Sequence, residues 1–356
     1  MPTNPATQRF VLHTLLSLPS PILRLMSGGG VVYQGGRTLD PRMQFIASGA
    51  RSQPPIISLP VEEARRGSAE ALALMTGKPE PGVRWEPLAI PRVDPGLAGD
   101  SVISARAYRP AGQDAEAPLI VYGHMGGGVL GDLETSHVFC TLLAAIARAP
   151  VISVDYRLAP EHRFPDGLDD MMTAYRWSRD NAERFGAPVA QAAIGGDSMG
   201  GNFAAIVCQD LKAAGEPQPT LQLLIYPCVD MASEAPSMTT YADAFPLNTP
   251  MTHYFTDQYI RPGDSPTDPR CSPLRGEDLS GLAPAIVVTA GFDPFQDQGE
   301  AYARRLKAAG VPTIYRCYDS LAHGFCSFTG AIPAADTACR EIAGLAREGF
   351  EGRIPA

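Results

Sequence analysis

No Cys-x-x-Cys pair occurs anywhere in this 356-residue chain, which removes the usual spacing signature of a zinc site or a dithiol redox centre. The seven cysteines (140, 208, 228, 271, 317, 326 and 339) are an odd number scattered along a long sequence. They suggest free thiols in a reducing cytoplasm rather than a disulfide framework. Charge is also sparse. Only 19% of residues are charged, the net charge is −9, and no basic run exists, which argues against nucleic acid or an anionic membrane as a partner. No apolar run is long enough to span a bilayer. Phe10–Met26 comes nearest, but His13 and Arg24 interrupt it, Pro19 and Pro21 break it, and only Arg9 precedes it as a basic flank. Internal repeats and low-complexity tracts are missing too, because the 34 prolines and 35 glycines are spread out. What remains is a chain that is 45% hydrophobic, enough to bury a substantial core as one large domain or a domain with a lid.

Its apolar pattern has a clear order. Residues 1 to about 75 read as irregular and helical, with a helix opening at Pro60 and running through Met75. Strand-like runs follow at Arg84–Ile90, Ser101–Tyr108, Leu119–Gly123, Val151–Val154, Val189–Ile194, Leu221–Tyr226, Ala285–Thr289 and Thr313–Tyr318. Helix-like segments separate most of the later ones: Phe139–Ala149, Gly167–Phe185, Gly200–Gly215, Gly299–Gly310 and Ala334–Phe350. Such alternation predicts a mostly parallel α/β sheet flanked by helices, with antiparallel strands at its beginning. Residues 230–263 break the rhythm with aromatic residues and a helical character, as a lid inserted after a core strand would. The expected division is an N-terminal cap segment (1–75), a core (76–229 and 264–356) and a cap insertion (230–263).

The most informative stretch is Gly196-Asp197-Ser198-Met199-Gly200, set between a short apolar run and a helix-spaced one. In a sharp strand-to-helix turn the serine takes a strained conformation, and the residues two before and two after it crowd together, so glycine fits both places. A serine exposed this way needs a base to take its proton and a carboxylate to orient that base. Of the six histidines, only His323 follows the last strand, in Ala322-His323-Gly324-Phe325. That position is the C-terminal end of a strand, where α/β sheets place ligands, and it fits the chain order Ser, Asp, His. Asp293 is the best-placed acid, directly after the strand Ala285–Thr289. Asp293-Pro294 also reads as a helix N-cap, and both roles are compatible. Asp297 and Asp319 are weaker competitors. Backbone amides for a developing oxyanion are expected from Met199 and from His124-Met125-Gly126-Gly127-Gly128, where glycines let amides approach a substrate.

With these residues assembled, the chain closely resembles the hormone-sensitive-lipase-like bacterial esterases of the α/β-hydrolase fold. The resemblance runs from about residue 80 to 350 through collinear landmarks. These are His124 to Gly131, Tyr156-Arg157-Leu158-Ala159-Pro160-Glu161-His162-Arg163-Phe164-Pro165, the Ser198 elbow, Ser272-Pro273-Leu274, Asp293-Pro294-Phe295 and His323-Gly324-Phe325. It implies an eight-stranded α/β-hydrolase sheet with a helical cap, and Ser198, Asp293 and His323 as a catalytic triad. Gly126, Gly127 and Met199 would form the oxyanion hole, although a one-residue slide would use Gly127 and Gly128 instead. The Tyr156-Arg157 segment would brace the core.

The departures concern the pocket. The family usually shows His-Gly-Gly-Gly followed by an aromatic residue. Here Met125 replaces the first glycine and Gly128 the aromatic, Met199 is bulkier than the usual alanine, and Phe295 replaces a leucine. Met125, Gly128 and Phe295 are therefore candidate substrate-pocket residues, and loss of the aromatic is expected to widen the pocket beside the nucleophile.

The resemblance implies hydrolysis of small-molecule esters with short to medium acyl chains, through an acyl-enzyme, with no metal or cofactor. Amide or carbamate cleavage and acyl transfer are alternatives for the same triad. A non-catalytic small-molecule receptor, as in related plant hormone receptors, is a further alternative. Family members often dimerise, so a homodimer is one expected state; stable membrane insertion and nucleic-acid binding are not expected, and the expected location is cytoplasmic. The Phe10–Met26 stretch is expected to form an amphipathic pair of helical turns over part of the active site or at a subunit contact, with a place on lipid and a cleaved export signal as the alternatives.

Overall fold

This computed structural model describes residues 4–92 and 101–354. The chain enters through two short helices, α1 (Pro5–Leu16) and α2 (Ser20–Met26), separated by Ser17, Leu18 and Pro19. The Asn4 side chain accepts a hydrogen bond from the Ala6 amide and starts α1, with proline in the first helical position. A small hairpin, β1 (Tyr33–Gln34) and β2 (Arg37–Thr38), leads to α3 (Pro41–Ala50) and α4 (Val61–Met75). α1 packs on α4, and α2 on α3.

The core is one eight-stranded sheet. β3 (Val83–Pro91) and β4 (Val102–Pro110) form its antiparallel edge. The strands β5 (Leu119–Gly123), β6 (Val151–Val154), β7 (Ala192–Asp197), β8 (Gln222–Ile225), β9 (Ala285–Phe292) and β10 (Thr313–Ala322) are parallel. The spatial order is β10-β9-β8-β7-β5-β6-β4-β3. Helices cover both faces, which is why the parallel strands read as continuous apolar runs. In β5, Leu119 and Val121 join the cluster packed against α6 (Asp166–Asp180) and α7 (Met199–Ala213). Ile120 and Tyr122 enter the opposite cluster, against α5 (His137–Ala147) and α11 (Pro333–Phe350). One strand thus feeds two cores through its period of two.

Three strands differ most from the sequence expectation. The strand expected at Val189–Ile194 lies at Ala192–Asp197, and Val189 is exposed. Gly195-Gly196-Asp197 looks like a loop in sequence but pairs with β5 and β8 on both sides, which holds it extended. β9 and β10 also extend beyond Thr289 and Tyr318, delivering Phe292 and Ala322 to the edge of the site. Residues 230–263 hold two helices, α8 (Pro236–Thr240) and α9 (Thr249–Tyr259), before the chain returns to the core and α10 (Gln296–Ala308). No helix among the described residues is long and apolar enough to cross a membrane.

Candidate active site

β7 ends at Asp197 and α7 starts at Met199, so Ser198 alone makes the turn, with φ 53° and ψ −112°. This is strained backbone for a serine, and three glycines make it feasible by removing side chains from the junction. A Cβ on Gly200 would lie 2.0 Å from the Gly123 carbonyl oxygen, and one on Gly196 would lie 2.3 Å from the Gly200 carbonyl carbon. β5, β7 and α7 therefore touch backbone to backbone beneath the hydroxyl.

The His323 imidazole Nε2 is 2.8 Å from Ser198 Oγ, and its Nδ1 is 2.7 Å from Asp293 Oδ2. An Nδ1–H donated to the carboxylate leaves Nε2 free to accept the serine proton. Asp293 is fully buried, and its other oxygen accepts the Phe295 amide at 2.8 Å. The N-cap-like character read in Asp293-Pro294 is thus present as a local turn, while α10 itself starts only at Gln296. The competing acids are engaged elsewhere: Asp297 accepts the Ser237 amide, and Asp319 pairs with Arg37. Two rings flank the imidazole, Tyr226 at 4.9 Å and Phe295, edge-on, at 5.4 Å.

Asp197, next to the serine, is clamped by the hydroxyls of Tyr122 and Tyr226, each at 3.0 Å. Burial raises its carboxyl to about 6, although both hydrogen bonds oppose the shift. Sequence reasoning passed over these tyrosines. Their only signal there is a polar atom at the end of a strand otherwise made of apolar residues.

The loop after β5 is fixed at several points. Val129 and Leu130 amides donate to the Gly126 carbonyl, and the Ala159 amide to that of Gly128. Tyr156 donates to the His124 carbonyl and stacks on the His124 ring at 4.2 Å. Burial lowers His124 to about 4, keeping it neutral. Arg157 and Arg92 both pair with the buried Asp170, which ties the Tyr156-Arg157 segment to α6. Gly126, Gly127 and Gly128 all adopt positive φ, and among the described residues none of their three amides donates to a protein acceptor, so both oxyanion registers keep their donors. The Met199 amide, first in α7, has no intrahelical acceptor either.

Beside Ser198 lies a cavity of about 30 Å³, walled by Gly127, Met199, Cys228, Met238, Phe255 and Phe295. Asp230 sits at its edge, held by Arg275 at 2.9 Å. Phe295, a candidate pocket residue, lines this space together with the Met199 side chain. Met125 and Gly128 do not line this space; Met125 instead lies against Gly324. The space beside Gly128 is occupied rather than open. A Cβ on Gly127 would lie 2.4 Å from the Phe255 ring, and one on Gly128 2.9 Å from the Tyr259 ring. Tyr259 of α9 thus occupies the space beside Gly128 and Phe255 that beside Gly127, a pairing across more than a hundred residues that sequence patterning does not reveal.

Among the described residues, no group of three His, Cys, Asp or Glu side chains is arranged to hold a metal ion. The cysteines are all free thiols, and burial raises the thiol pKa of Cys228 beside the cavity.

Known proteins resemble this chain along most of its length. Residues 120–327 match the family model described as the alpha/beta hydrolase fold. The carboxylic ester hydrolase LipN of Mycobacterium tuberculosis is 42% identical over 317 residues, spanning 86% of this chain and 82% of that protein. The ethyl acetate hydrolase of Pseudomonas putida is 37% identical over 285 residues, 79% of this chain and 88% of its own. Among solved structures, LAE6, an alpha/beta hydrolase enzyme from the metagenome of Lake Arreo, Spain, superposes with a TM-score of 0.82 at 37% identity. That match covers 88% of this chain and 99% of the other.

Proposed function

The chain belongs to the α/β hydrolase fold family, in its hormone-sensitive-lipase-like branch, and from that premise we propose that it is a serine carboxylesterase acting on short- to medium-chain esters. The observation that carries this reading is the relay Ser198–His323–Asp293, with contacts of 2.8 and 2.7 Å on three different strand ends. Ser198 attacks the ester carbonyl while His323 takes its proton, and Asp293 stabilises the resulting imidazolium. The amides of Gly126, Gly127 and Met199 receive the tetrahedral oxyanion; each such donor contributes about 3 kcal/mol of barrier lowering. His323 then protonates the departing alcohol, and water releases the acyl group by the same route.

The narrow cavity supports the shorter end of the acyl range, because Phe255 and Met199 close the space that a long chain would need. The name of the Pseudomonas putida relative, ethyl acetate hydrolase, points the same way. In this reading, residues 1–75 and 230–263 form the cap, and residues 76–229 and 264–356 the catalytic core. The test is hydrolysis of p-nitrophenyl esters from acetyl to long-chain acyl, with Ser198→Ala as control. Saturable turnover of the short esters that vanishes in the variant is expected. Turnover that survives Ser198→Ala, or none in the intact protein, would overturn the proposal.

A further inference from the structure

Seven large apolar side chains exposed to solvent lie between residues 10 and 33: Phe10, Val11, Ile22, Leu25, Met26, Val31 and Tyr33. The remaining 320 or so residues of the chain expose only four comparable ones among those described, so the concentration is local. Exposed apolar side chains concentrated in so short a stretch of chain point to an interaction site. On α2, Ile22, Leu25 and Met26 follow an i, i+3, i+4 spacing and share one face, while Leu23, about 100° around the helix from Ile22, is fully buried. Leu25 and Phe10 are 73% and 72% exposed.

Charge indicates what covers this face. The first 39 residues contain three arginines and none of the chain's 38 acidic residues. The whole-chain charge of −9 therefore conceals a cationic end. Arg37 is paired with Asp319, but Arg9 and Arg24 have no carboxylate partner among the described residues. Arg9 donates only to carbonyls at the end of α4. Exposed apolar side chains flanked by unpaired cations suit an anionic lipid surface, where the apolar groups enter the headgroup boundary and arginine meets phosphate. A second copy of the chain would bring the same cations together without a compensating acid.

The patch is also close to the entrance of the site. The hairpin β1–β2 touches the cap insertion, with Gln34 donating to the Thr240 carbonyl and Arg37 to the Tyr241 hydroxyl. The Asp40 amide donates to the Ser320 carbonyl, three residues before His323. We propose that α1, α2 and the β1–β2 hairpin form a peripheral docking face for anionic lipid, seating the cap side of the molecule on a membrane without spanning it. The inference does not depend on the hydrolytic reading, and its test reads binding rather than turnover.

The full-length protein is sedimented with phosphatidylcholine vesicles, with and without phosphatidylglycerol. Partition should be stronger on the anionic vesicles and should weaken as salt is raised. Leu25→Glu should lower it about tenfold or more. Arg24→Gln should lower the preference for anionic vesicles about fivefold. The exposed position of Leu25 predicts an unchanged melting temperature for Leu25→Glu, which separates lost docking from lost folding. Absence of binding to either vesicle, or binding indifferent to Leu25→Glu, would overturn the proposal. So would a dimer seen by light scattering that Leu25→Glu splits while vesicles bind nothing, an outcome that assigns the face to a second copy.

Discussion

Gly200→Ala puts the backbone contact under Ser198 to a direct test. The new methyl carbon would be 2.0 Å from the Gly123 oxygen and 2.4 Å from its carbonyl carbon, against the 3.4 Å at which ordinary contact begins. Both obstacles are backbone, so no rotamer change relieves them; β5 and α7 must separate by roughly 1 Å. Overpacking of that kind costs about 1–3 kcal/mol, and the upper end applies where nothing flexible can yield. The same displacement moves Ser198 relative to His323, and a misplacement of about 1 Å costs on the order of 10²-fold in rate. Urea unfolding should therefore show a loss of about 3 kcal/mol, and turnover of a soluble ester should fall about a hundredfold. Two glycines calibrate the result. At Gly201 the added carbon would meet Pro227 at 3.0 Å, and an intermediate effect is expected. At Gly67, inside α4, it would meet nothing within 4 Å, so alanine should stabilise by about 1 kcal/mol. A Gly200→Ala protein that unfolds and turns over like its parent would refute the reasoning.

Three further outcomes are expected. Asp293→Asn should lower kcat about 10⁴-fold with little change in KM, because the amide favours the wrong imidazole tautomer; a loss below tenfold in steady-state assays would remove Asp293 from the relay. Phe255→Ala should open the space over Gly127 and raise kcat/KM for an octanoyl ester relative to an acetyl ester by about tenfold or more; an unchanged ratio would show that α9 does not set acyl length. Asp197→Asn should change the pH dependence of stability. With its carboxyl raised to about 6, the native state keeps a proton that the unfolded chain loses near 4, so Asp197 favours the fold at low pH. That contribution, up to about 3 kcal/mol, is lost as pH rises from about 4 to 6. His124, lowered to about 4, acts in the opposite sense: its contribution is present above about 6.5 and is lost as pH falls toward 4. Urea midpoints of Asp197→Asn should climb more steeply than those of the parent between pH 4 and 6.5, and parallel curves would sink the argument.

The parts of the fold that were legible in sequence are those where local pattern and global role coincide. Leu119–Gly123 and Val151–Val154 are short apolar runs between turns, and both are strands with those same boundaries. Boundaries slipped at β7, where the glycines that permit the elbow also disguise the strand carrying it. Chain order and strand-end position single out Ser198, Asp293 and His323, and the structure brings these three within hydrogen-bond distance. The contacts between distant elements were not legible. Nothing near Gly127 or Gly128 indicates that Phe255 and Tyr259 will press against them, and nothing near Asp197 identifies Tyr122 and Tyr226 as its partners. The β1–β2 hairpin was also missed, since its strands are only two residues long.

The meeting of Gly123, Gly196 and Gly200 divides the molecule into what mutation can and cannot adjust. Where backbone rests on backbone there is no side chain to exchange, so the ground under the nucleophile offers selection almost no tolerated variants. The cavity wall is different. Met238 and Phe255 sit on α8 and α9, outside the strands whose ends carry Ser198, Asp293 and His323. A library confined to those two helices would search substrate preference while inheriting an unaltered engine, whereas one spread over residues 123–131 and 196–201 would spend most of its members on broken folds.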